Sequence, residues 1–119
     1  MRGEILLVDA EGRFDSERLR AAGLRVYHVK DVAAAKDRMS ASAADVIVVR
    51  DPLEGESLQE LRRHGDSATS IIVVGRVEER ESARRLGADS FLPATADVLY
   101  EIHRALILRR SGRRLPWNS

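Results

Sequence analysis

Cysteine is absent from the 119 residues, which excludes disulfides and thiolate metal sites and suits a reducing compartment. Aromatic side chains are scarce, with two Phe, two Tyr and one Trp, so a core must be built from Val, Ile, Leu and Ala. No apolar run comes near the roughly 18–20 residues that span a bilayer. The N-terminal stretch MRGEILLVDAEG is apolar only briefly and already carries Glu4 and Asp9, unlike a signal peptide. A large charge of one sign is lacking as well. Lys and Arg number 20 against 19 Asp and Glu, so bulk attraction to nucleic acid is weak. These absences lead to the expectation of a cytoplasmic protein without a membrane segment. The length suits one domain with a single core.

What the chain does have is a repeating alternation. Glu4 to Val8 (EILLV) reads as a short buried strand. Asp15 or Ser16 caps a short helix to Ala22, which Gly23 stops. Arg25 to Val29 is a second strand with Val26 and Val29 facing a core. Asp31 opens a helix to about Ser40, with Val32, Ala35 and Met39 on one stripe. Asp45 to Val49 contains the solid apolar run Val46, Ile47, Val48 and Val49, the pattern of a strand buried on both faces. Arg50 to Gly55 is a loop, and Ser57 caps a helix carrying Leu58 and Leu61. Ile71 to Val74, ending at Gly75, is a fourth strand. Glu78 to Leu86 is a charged helix with Gly87 as its stop. Phe91 and Leu92 form a fifth strand. Asp97 opens a last helix to about Arg110, with Leu99, Ile102 and Leu106 inward. Strictly alternating strands and helices imply a parallel sheet covered on both faces by right-handed crossovers. The alternation alone leaves the strand order open.

Three segments add a resemblance. ILLVDAE, DVIVVRDPLEGESLQELR and ARRLGADSFL resemble, at the right spacing, the receiver domain of bacterial two-component response regulators. The resemblance covers roughly Glu4 to Arg109. It implies an α/β, flavodoxin-like, five-stranded parallel sheet of order 2-1-3-4-5 with helices on both faces. Residues 1–110 would be the receiver-like domain and residues 111–119 a basic tail or the start of a linker. The first helix is about one turn shorter than the resemblance implies, which would leave part of that sheet face less covered.

The resembled chemistry holds magnesium on two acidic residues after the first strand. An aspartate at the end of the third strand accepts the phosphoryl group. A hydroxyl after the fourth strand and a lysine after the fifth contact it. Carried over residue by residue, Asp9 keeps an acidic position, but Ala10 follows it, with Glu11 one further on. The acceptor position falls on Arg50, the hydroxyl on Gly75, the lysine on Ala94 and the usual proline on Thr95. The resemblance is therefore to a degenerate, pseudo-receiver form. Asp51 could accept a phosphoryl group only by a one-residue slip, which turns a strand residue to the opposite face. Asp9 and Glu11 without a third ligand would hold a cation weakly. A bidentate ion pair between Arg50 and Asp9 is expected to fill the pocket instead.

His28, His64 and His103 are not at ligand spacing, and no nucleophile–His–acid set stands out. The expectation is a protein without enzymatic activity, metal or cofactor. On the last helix Tyr100, Ile107 and Leu108 cannot all face inward with its core stripe. With Arg80, Arg84, Arg85 and His103 they mark an interaction surface for a protein partner or a second copy of the chain, a homodimer through the fourth helix, fifth strand and last helix. Arg104, Arg109, Arg110, Arg113 and Arg114 crowd the C-terminal end, either as a solvated helix end that suits the dipole or as part of a linker or anionic contact. The function expected is a phosphorylation-independent interaction or dimerisation module in signal transduction or transcriptional regulation. Nucleic acid would enter only through a downstream output domain, if one exists. The alternatives are a small-molecule or anion sensor anchored on Arg50, and a receiver phosphorylated on Asp51.

Overall fold

In the computed structural model, which describes residues 1–50 and 57–117, five parallel strands form one sheet. They are Glu4–Val8 (β1), Arg25–Val29 (β2), Val46–Arg50 (β3), Ser70–Gly75 (β4) and Ser90–Pro93 (β5), in the order β2-β1-β3-β4-β5. This is the flavodoxin-like order. The helices are Ser16–Ala21 (α1), Val32–Ala41 (α2), Ser57–His64 (α3), Arg80–Arg85 (α4) and Val98–Arg109 (α5), with a 3-10 turn at Val77–Glu79 leading into α4.

Local chemistry sets these boundaries. Asp15, rather than Ser16, caps α1 by accepting the Arg18 amide at 3.1 Å. Asp31 accepts the Ala34 amide at 2.8 Å and Asp97 the Leu99 amide at 3.1 Å. Each satisfies a donor that the first helical turn leaves unpaired. Gly23 adopts φ 96°, and a Cβ there would stand 2.5 Å from the Met1 carbonyl oxygen, so only glycine fits that turn.

Strand alternation divides the core into two layers. Ile5, Leu7, Val46, Val48, Ile72 and Val74 face α1 and α5, where Leu19, Ile102 and Leu106 meet them. Leu6, Val8, Ile47, Val49 and Ile71 face the other way, against Ala35, Met39, Leu58, Leu61 and Ala83. Val46 to Val49 are wholly inaccessible, as a central strand covered on both faces requires. Burying each such side chain is worth about 1.5–3 kcal/mol. Val29 is only half-buried because β2 is an edge strand. Leu108 packs partly against the α1/α5 layer rather than standing free.

Two expectations need correction. Arg50 is not the first loop residue but the last residue of β3, paired with Val74 of β4. Residues 111–117 are not a free tail. The chain turns at Gly112, which has φ 71°, and crosses the N-terminal ends of β4 and β5. The Leu115 amide donates to Ser70 Oγ at 2.9 Å, and its side chain is 4% exposed within the core. Arg114 reaches Asp89 at 3.6 Å. Trp117 packs against the opposite layer beneath the guanidinium groups of Arg80 and Arg84, 5.1 and 5.6 Å from the ring centre. Leucine and tryptophan draw the basic segment back because the core still has apolar surface to cover there. Among the described residues no helix is long and apolar enough to cross a membrane.

Candidate functional site

The parallel register brings the carboxyl ends of four strands together. Val8 of β1 stands opposite Val49, Arg50 opposite Val74, and Gly75 opposite Pro93. Asp9, Arg50, Gly75 and Ala94 therefore gather at one end of the sheet, where ligands of open parallel sheets bind.

Asp9 is buried, and both its carboxylate oxygens are in use. Oδ1 accepts the Glu11 amide at 3.0 Å and Oδ2 the Arg13 amide at 2.5 Å. The Asp9 amide donates to Val29 and its carbonyl accepts from His28 Nε2 at 3.0 Å. The residue ties the loop after β1 into a tight turn. Ala10 and Glu11 are exposed, and Glu11 pairs with Arg13 at 3.1 Å. Among the described residues no group of three His, Asp or Glu side chains is placed to hold a metal ion.

The expected Arg50–Asp9 ion pair does not form. The loop amides have already taken the Asp9 carboxylate. Arg50 follows Val46 and Val48 in the alternation, so its side chain emerges on the α1/α5 side. Its guanidinium carbon lies 5.5 Å from the ring centre of Phe14, a cation–π distance. Among the described residues it makes no ion pair. Asp51, the alternative acceptor, lies outside the described residues.

Gly75 is buried at the end of β4. A Cβ there would stand 3.2 Å from Glu79 Oε1, which accepts the Arg76 amide at 3.0 Å. A carboxylate thus approaches the position where the resembled chemistry places a hydroxyl. Ala94, just past β5, is exposed and carries no cation.

Between α1 and the segment entering α5 lies a cavity of about 250 Å³. Arg50 and Ala94 line it together with Arg13, Phe14, Arg18 and Asp97. Arg18 bonds to Asp97 at 2.7 Å. Sequence reasoning missed Phe14, Arg18 and Glu79. The available signal for Phe14 was a rare aromatic set in a polar loop; Arg18 and Glu79 stand among many like residues and gave none.

The proposed interaction residues fall on both sides of the β5 edge. Tyr100, His103 and Ile107 share the outward stripe of α5, with Tyr100 70% and Ile107 50% exposed. Arg84 and Arg85 are exposed on α4, whereas Arg80 is half-buried beside Trp117. Val77, 68% exposed, adds an apolar residue just before α4. The folded-back C-terminal segment thus covers part of the α4 surface.

No family model and no curated protein matches the chain. Solved structures do. The Francisella response regulator 1452 receiver domain superposes with TM-score 0.73 at 19% identity, over 93% of this chain and 99% of that one. The receiver domain of NtrC4 from Aquifex aeolicus gives TM-score 0.75 at 21% identity, over 88% and 97%. The receiver domain of the TMAO respiratory system response regulator TorR gives 0.74 at 18%, over 92% and 98%. With the strand order and crossovers described above, these similarities establish that the chain has the fold of response-regulator receiver domains.

Proposed function

We propose that the chain is a pseudo-receiver, a protein-interaction module of signal transduction that works without phosphorylation and without catalysis of its own. One observation carries this reading: Arg50 ends β3 at the acceptor position, and a guanidinium has no oxygen to accept a phosphoryl group. Its surroundings agree. Glycine stands where a hydroxyl would be needed, Glu79 brings a negative charge close to it, and Ala94 supplies no cation. Phosphoryl transfer depends on positive groups neutralising the transferring charge. The carboxylate that would hold magnesium is engaged by backbone amides.

The output surface in this reading is the β5 edge with Tyr100 and Ile107, which take a protein partner or a second copy of the chain. The test is incubation with magnesium and acetyl phosphate, and separately with beryllofluoride, followed by intact-mass and amide-NMR measurement. The expected outcome is no added mass and no shift at the ends of β1, β3 and β4. An adduct that disappears in Asp51→Asn would overturn the proposal.

A further inference from the structure

We propose that the cavity between α1 and the N-terminal end of α5 binds a small organic carboxylate with an apolar body. The charges around the cavity are unequally satisfied. Arg18 and Asp97 neutralise one another at 2.7 Å, and Asp97 also caps α5. Asp15 caps α1. Glu11 sits against Arg13. The half-buried side chain of Arg50 has neither an ion pair nor a hydrogen bond among the described residues. The Phe14 ring offsets only part of its charge.

A guanidinium held in place by an aromatic face presents a fork whose geometry matches a carboxylate. Apart from Thr95, the remaining walls are apolar: Phe14, Leu19, Ala96, Val98 and Leu99, with Ala94 at the rim. A bare inorganic anion would leave those walls against water, whereas a carboxylate on a hydrocarbon or aromatic body covers them. The space of about 250 Å³ is smaller than a drug-sized site, room for roughly ten non-hydrogen atoms. The class is therefore a monocarboxylate of the size of an arylacetate or a branched fatty acid. This site lies beside the former acceptor position and is separate from the β5-edge surface, so it gives the module an input that needs no phosphate. It rests on the proposed reading only in that Arg50 is free of an acceptor's role.

The test is an amide-NMR titration of the whole chain with phenylacetate, without any phosphodonor. The expected result is saturable shifts confined to residues 13–19, Arg50 and residues 94–99. Binding should weaken at least tenfold, the loss of one charge-assisted pair, both in Arg50→Gln and when neutral phenylacetamide replaces phenylacetate. Ala96→Phe, which fills the cavity and leaves Arg50 in place, should abolish binding. It also supplies the answer should Arg50→Gln not fold. Non-saturable or scattered shifts, equal binding of phenylacetamide, or unchanged binding in either variant would overturn the proposal. Displacement of phenylacetate by equimolar inorganic phosphate would overturn the carboxylate assignment. A phosphodonor adduct at Asp51 would sink the pseudo-receiver reading without moving this titration.

Discussion

Arg109 bridges two carboxylates at the N-terminal side of the sheet, Asp45 at 2.7 Å and Asp66 at 2.6 Å. The hydrogen bond from Arg109 holds the Asp66 carboxyl well below the usual carboxylate range. Its folded pKa is then lower than its unfolded one. The pair stabilises the fold above the unfolded value, and that stabilisation is lost as pH falls through and below it. Asp66 is about half exposed, so solvent screening limits the effect to about 1 kcal/mol or less. Asp66→Asn should therefore lower the urea midpoint slightly at pH 7, and the gap to the wild type should narrow by about pH 3. Equal gaps at the two pH values would contradict this account. Asp89 runs the other way. Burial raises its carboxyl, against the opposing pull of the Ile71 amide, Arg62 and Arg114, so its charge is the more expensive one to keep in the folded state.

The last helix divides its surface sharply. Ile102, Ala105 and Leu106 are buried, as is Glu101, whose carboxylate accepts Ser90 Oγ at 2.7 Å and meets Arg104 at 2.5 Å. Tyr100 and Ile107 face out. Replacing both by serine should change the unfolding free energy by no more than about 0.5 kcal/mol, as for surface substitutions, while weakening self-association or partner capture in sedimentation experiments. Unchanged association would remove this face from the proposed function. The stripe was legible in the sequence because helical spacing forces some of α5's apolar residues outward. Strand existence was legible for a similar reason: Val46 to Val49 permits little but a doubly covered central strand. Strand order was not, since alternation fits several orders, and it came only with the resemblance. The Arg50 contact was not. A one-residue difference in where β3 ends, and the loop amides that occupy Asp9, arise from backbone conformation, which the residue types alone do not encode. The cation–π contact with Phe14 depends on a loop whose course no periodicity marks.

At the scale of the whole molecule, the domain closes only with its C-terminal segment in place. A boundary drawn at residue 110, which the helical pattern suggests, would strip Leu115 from the core and uncover the surface under Trp117. Leu115→Ala should cost about 2–5 kcal/mol, the range for truncating a buried leucine, read as a lowered denaturant midpoint. A chain ending at residue 110 should lose at least as much. A truncated chain as stable as the full one would show the segment to be ornamental. Trp117, the only tryptophan, lies against the guanidinium groups of two arginines at the far end of this segment. The molecule thus carries its own optical gauge. A change in indole emission, set beside the far-ultraviolet signal of the helices, would distinguish release of the C-terminal segment from loss of the fold, with no label attached.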